Sequence, residues 1–223
     1  MRESGVEQHA YLLFLVQQPR ERGPSIPPHD GHNTLGEMIW DNNDDIRLIE
    51  CENNGRVIQR HLNECREERR PYVFVTGTMT VKPLNRLLVP VSMLEEETYK
   101  AEICTYLARK TGAHIILLKA HDYGSHAQQN VNRIVTHIKA VTEKSGEAIS
   151  YEVIEARKDS FKLMQEAAER QRDFRHDLLI LTASRDYGLD DILFGPPERH
   201  AIRKSLVPVM LVNPREDLFS LCD

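Results

Sequence analysis

The sequence predicts an α/β fold, a parallel sheet with helices on both faces, and three observations carry that reading. From Arg86 onward, short apolar runs alternate with longer stretches whose apolar residues recur at helical spacing. The apolar runs read as buried strands, as in a sheet covered on both faces. The last of the turns joins Leu178-Leu179-Ile180-Leu181 to Thr182-Ala183-Ser184-Arg185, then nine residues, then Gly195-Pro196. A turn after a buried strand that leads into a helix start is where α/β proteins hold phosphates.

The elements follow in order. Arg86 to Val91 is a short buried strand, and 95–111 a helix with Ile103, Leu107 and Ala108 on one face and Gly112 as its stop. His114 to Lys119 is a second strand. Val131, Ile134, Val135, Ile138 and Val141 give 125–144 a helical stripe, with Gly146 beyond it. Residues 149–155 alternate as a half-buried strand, and Phe161, Met164, Ala167 and Ala168 mark a third helix. A fourth strand at 178–181, a helix from near Pro196 to Lys204, and a fifth apolar run from Leu206 to Val212 complete the unit.

The first 80 residues repeat part of this pattern. Tyr11 to Val16 resembles the 114–119 run, 46–50 resembles 149–155, the helix after Gly55 resembles the one after Ser160, and 71–76 resembles 177–182, at an offset of 103 to 106 residues. A steady offset reads as an internal duplication. The copy lacks its first strand and helix and its last helix and strand. The organisation expected is therefore a partial copy over 1–80, a complete unit over 83–216 and a tail over 217–223. Residues 17–45, rich in proline and glycine, read as a long loop with a short helix near Leu35 to Trp40. Half a sheet with open edges needs cover from the complete unit or from another chain.

Composition narrows the function. The chain has 223 residues, 40% hydrophobic and 28% charged, with a net charge of −5. The charge argues against nucleic acid as the main partner. No apolar run approaches the roughly 20 residues of a membrane span, so no direct membrane insertion is expected, and the start of the chain reads as a strand rather than a signal peptide. Cys51, Cys65, Cys104 and Cys222 form no paired motif, which suits a reducing, cytoplasmic setting. His29 and His32 are the one histidine cluster, and a polar loop is the simpler account than a metal site. No GxSxG, HExxH or P-loop lysine occurs, so no enzyme activity is expected. The run from His121 to His126 lies where sites form, although a polar loop there needs no function. Glu95, Glu96 and Glu97 read as an acidic first helical turn, Glu166 and Glu169 beside Arg170 and Arg172 as a solvated face, and His200 as part of an exposed helix face.

Residues 86–213 resemble the universal stress protein family through the opening strand 88–91, the ordered alternation and the closing segment 178–214. In that segment the family shows a glycine, two residues, a glycine, nine residues, then glycine and serine or threonine; Thr182, Arg185 and Gly195-Pro196 stand in those places. The resemblance implies a five-stranded parallel sheet in the order 3-2-1-4-5, as in adenine nucleotide alpha hydrolases. A ligand would then sit at the switch point over Val91, Ser92, Thr182, Ser184, Arg185 and Gly195. The family's acidic residue after strand 1 is replaced by Ser92. Thr182 and Arg185 bring side chains where bare backbone is needed, and Pro196 and Pro197 lack amide protons. Arg185 alone argues for phosphate. The resemblance also suggests pairing of the run from Leu206 to Val212 with a second copy in a homodimer.

Three functions follow: a regulatory or interaction module with a protein partner and without ordinary ATP binding; an ATP- or AMP-binding stress protein whose loop relies on Arg185; or the cytosolic part of a membrane transporter, since the chain begins in the middle of a unit.

Overall fold

The computed structural model describes residues 46–66, 68, 70–146, 148–184 and 196–213. The expected strand and short helix before residue 46, and the tail after 213, lie outside them. Among the described residues seven strands form one sheet: β1 (Arg47–Cys51), β2 (Tyr72–Thr76), β3 (Arg86–Val91), β4 (His114–Lys119), β5 (Tyr151–Glu155), β6 (Leu178–Thr182) and β7 (Val209–Val212). Their order is β1-β2-β7-β6-β3-β4-β5. The five strands of the complete unit run 3-2-1-4-5 within it, and two further strands widen the sheet. β2, β6 and β7 are buried along their whole length, as continuous apolar strands covered on both faces must be.

The helices are α1 (Gly55–Cys65), α2 (Lys100–Thr111), α3 (Ser125–Lys144), α4 (Leu163–Glu169), α5 (Gln171–Phe174) and α6 (Pro197–Lys204). Val131, Ile134, Val135 and Ile138 of α3 are buried, as the spacing predicts, with Thr142 completing the stripe and Val141 half-buried. Gly112 ends α2 in the left-handed conformation at φ 72°, where a side chain would be strained. Two elements start later than expected. A 3-10 turn over Glu95–Tyr99 precedes α2, with no side-chain cap on its first amides. α4 begins at Leu163, which takes the buried position, and Phe161 is left outside the stripe.

The strand pairing does not follow the expected sequence offset. That offset matches β1 with β5 and β2 with β6, which are separated in the sheet by β4 and β3. Instead, β1 and β2 are direct parallel neighbours, Leu48 beside Val73, just as Ile180 of β6 lies beside Met210 of β7. The seam between the halves is antiparallel, with Val73 opposite Met210. β1-α1-β2 thus corresponds to the end of the complete unit, β6-α6-β7, and α1 packs on α6 across the seam. The last strand is therefore interior: β6 holds one edge and Tyr72 to Phe74 of the same chain hold the other. The expected pairing of 206–212 with a second copy has no free edge to use. The strand is also shorter than its apolar run, because Leu206 is exposed and the chain at Ser205 and Val207 closes a local turn.

Polar groups fasten the seam at both ends. The Asn213 amide donates to the carbonyls of Arg66 (2.5 Å) and Glu68 (3.0 Å), and that of Asn53 to Thr78 Oγ1 (3.0 Å) and the Arg203 carbonyl (3.2 Å). One buried core runs through both halves, from Ile49, Ile58 and Phe74 to Ile134, Leu163 and Val209. Residues 46–76 share the sheet and the core of the unit that follows.

His176 is buried before β6 with no hydrogen-bond partner on either ring nitrogen among the described residues. Desolvation, aided by the Arg86 guanidinium, lowers its pKa from 6.5 to about 4.

Two outcomes are expected. The folded-state pKa of His176 lies below its unfolded value, so its contribution is complete above pH 6.5 and is lost as pH falls toward about 4. The loss is on the order of 3 kcal/mol; urea titrations across that window should show it, and His176→Leu should flatten it. Phe74→Ala, which removes a fully buried side chain at one end of the seam, should cost about 3–5 kcal/mol in the same assay.

Candidate functional site

The loops after β3 and β6 meet at the carboxyl end of the sheet, where its order reverses. Val91 ends β3 and is buried, with Ser92 buried after it. Thr182 ends β6, and Ser184 is half-buried two residues on. These four predicted residues come together here. Arg185 and Gly195 lie outside the described residues.

Two acidic side chains occupy this junction. Glu97, on the 3-10 turn, is 4% exposed and turns inward. Ser92 Oγ donates to its Oε1 (2.7 Å) and Thr182 Oγ1 to its Oε2 (3.3 Å). Lys100, 1% exposed at the start of α2, forms an ion pair with Glu97 and donates to the Pro90 carbonyl. Beyond lying in an acidic first turn, Glu97 forms with Lys100 a buried pair joining β3, β6 and α2. Such a pair persists only when hydrogen bonds satisfy its remaining atoms, which the two hydroxyls and the carbonyl do.

The second acid is Glu198, in the first turn of α6. It is buried, and its Oε1 accepts the backbone N–H of Ser184. Pro196 caps this helix and Pro197 is its first residue, so neither supplies an amide proton. A carboxylate of the chain itself therefore sits against the loop amide at the helix start, the type of donor that phosphates use elsewhere.

The neighbouring loops are tied together. The Asp122 carboxylate, after β4, accepts the Ser160 N–H (2.9 Å) and hydroxyl (2.5 Å), and Ser160 Oγ accepts the Met93 N–H (2.9 Å). Gln128 on α3 accepts the Asp122 N–H (3.0 Å), while Gly124, at φ 110°, turns the chain into that helix. Glu166 on α4, read from sequence as solvated, is buried; it accepts the amides of Arg157 (3.0 Å) and Lys158 (2.8 Å) and pairs with Arg170. The run from His121 to His126 thus contributes a structural aspartate, and His200 remains on an exposed face. Burial raises the Cys104 thiol to about 12 and that of Cys65 to about 11, which leaves both unreactive at neutral pH.

The sequence reading missed Glu97, Lys100 and Glu198 as site residues. A signal existed for Lys100: it shares helical spacing with Cys104 and Leu107, so it lies on the buried face of α2. Among the described residues there is no group of three or more His, Cys, Asp or Glu suited to a metal ion, and no helix long and apolar enough to cross a membrane.

Solved structures share this fold. A universal stress protein from Archaeoglobus fulgidus DSM 4304 superimposes with a TM-score of 0.56 at 16% identity, over 81% of this chain and 65% of that one. A functionally unknown protein from Pseudomonas aeruginosa PAO1 gives 0.51 at 13% identity, over 98% of this chain and 80% of its own. The chain has the universal stress protein fold. A universal stress protein in complex with cAMP aligns less well, with a TM-score of 0.46 at 13% identity over 60% of this chain. The chain thus spans under two-thirds of the Archaeoglobus protein's length. No family model and no curated protein matches the sequence.

The buried pair gives a direct test. Lys100→Met alone leaves Glu97 as an uncompensated buried charge and should cost about 3–5 kcal/mol. Lys100→Met combined with Glu97→Gln should recover most of that loss in urea denaturation.

Proposed function

We propose that this chain is a regulatory or interaction module on the universal stress protein fold, acting without catalytic turnover and without binding ATP in the usual manner of that fold. The observation that carries the reading is the Glu198 carboxylate on the Ser184 amide. A phosphate brought there would meet an anion instead of a free donor. Two unit charges 4 Å apart at an effective dielectric of 20 repel by about 4 kcal/mol, close to three decades of affinity. The hydroxyls of Ser92 and Thr182 are committed to Glu97 in the same way, and Pro196 and Pro197 withhold the next amides. What remains is a rigid scaffold whose inherited cleft is filled from within, and its work is to present a surface.

Calorimetry with ATP, ADP and AMP, with and without magnesium, tests this. We expect no heat of binding up to millimolar nucleotide. Sub-millimolar affinity lost on Arg185→Ala would overturn the proposal in favour of a nucleotide-binding module that uses the arginine.

A further inference from the structure

A strand at the edge of a sheet presents a row of unpaired backbone groups, which proteins cover or blunt. Among the described residues β1 is such an edge, flanked by β2 on one side only. The Arg47 N–H goes to the Pro71 carbonyl (2.9 Å), so alternation along the strand turns the amides of Leu48 and Glu50 to the open side. β1 is buried only at Ile49, whereas β6, its counterpart in the complete unit, is buried at every position with β3 beside it. Glu50 also carries a buried carboxylate oxygen with no hydrogen-bond partner among the described residues. Such an atom marks surroundings that lack a donor.

The seam indicates which strand belongs there. Val73 and Met210 pair at its middle, with Tyr72 opposite Leu211 and Phe74 opposite Val209 on either side. A two-fold relation centred on that pair exchanges β2 with β7 and Leu48 with Ile180, and hence Arg47 with Leu179. Beyond β6 the complete unit places β3, with Leu88 beside Leu179. The matching place beyond β1 therefore calls for a copy of β3, Arg86-Leu87-Leu88-Val89-Pro90-Val91. The run Tyr11-Leu12-Leu13-Phe14-Leu15-Val16 is such a copy at an offset of 75 residues: leucine stands at 12 and 87 and at 13 and 88, and valine at 16 and 91. An unbroken apolar run suits a strand covered on both faces. Residues 17–45 then carry the chain back to the start of β1, and these 29 residues exceed the roughly dozen that a parallel crossover needs.

We infer that the open edge of β1 is the docking edge for residues 11–16 of the same chain, which join the sheet as a further strand parallel to β1, with Leu13 beside Arg47 and Phe14 beside Leu48. This gives the run the place of β3 rather than that of the 114–119 strand. The other outer strand, β5, is where the complete unit ends, so the two-fold relation calls for no strand there. The inference is independent of the function proposed above.

Disulfide trapping on the full chain tests the register. Cys51→Ser and Cys222→Ser remove two native thiols, and Cys65 and Cys104 are buried. In that background, Leu13→Cys with Arg47→Cys should close a disulfide within one chain on mild oxidation by copper phenanthroline. Leu15→Cys with Arg47→Cys should not, because two places along a strand put the Cα atoms more than about 7 Å apart, beyond the reach of the bond. Native-state hydrogen exchange on the unsubstituted chain gives a readout that needs no variant to fold. The amides of residues 12–16, Leu48 and Glu50 should be protected like those of β2. Equal trapping of both pairs, or no trapping of the first pair in a folded protein, would overturn the inference. So would exchange of residues 12–16 at the rate of an unstructured peptide. Trapping only between chains would assign the edge to a second copy and overturn it as well.

Discussion

A buried charge must be answered on the spot, and the pair of Glu97 and Lys100 imposes that requirement at the centre of this molecule. Both side chains lie where β3, β6 and α2 converge. Ser92, Thr182 and the Pro90 carbonyl complete their hydrogen bonds, so the ends of the two switch-point strands and the start of α2 are fixed by one network. Solvent cannot replace any member cheaply, since each removal strands a charge in a low-dielectric interior. The same network lies at the switch point, where α/β folds hold ligands.

A second constraint acts at the opposite side of β6. A parallel sheet ending at β7 would expose unpaired backbone and a fully apolar strand. β2 covers that edge in antiparallel register, and α1 and α6 meet above the seam. The closure comes from within the chain, which makes 46–76 a structural part of the larger sheet. Among the described residues the outer strands are then β1 and β5, and the loops after β3, β4 and β5 lie at the carboxyl end, away from the seam.

Much of the fold was legible because it depends on local periodicity. The α3 stripe, the apolar strands and the Gly112 stop follow from spacing and from the conformational freedom of glycine. The sequence offset expected between the halves did not foretell the strand pairing, because strands 46–50 and 71–76 match any strand of similar composition. Only their pairing with each other and with β7 distinguishes the possibilities. At the candidate site, Val91, Ser92, Thr182 and Ser184, which the resemblance singled out, lie together at the ends of β3 and β6. Glu166 was read as part of a solvated face and Glu97 as an acidic helical turn, while Glu198 drew no reading of its own, since carboxylates rarely enter a core without partners. Thr182, one partner of Glu97, is 85 residues away, and Ser184, a partner of Glu198, is on a different element.

By itself, then, the sequence determined the class of fold, the order of elements in the complete unit and the loss of amide donors at Pro196 and Pro197, because each follows from covalent geometry or from periodicity within one segment. Tertiary structure decided which strand shields β7 and which carboxylates turn inward. Those outcomes depend on hydrogen bonds and charges brought together from separate segments, and a one-dimensional pattern carries no record of which segments meet.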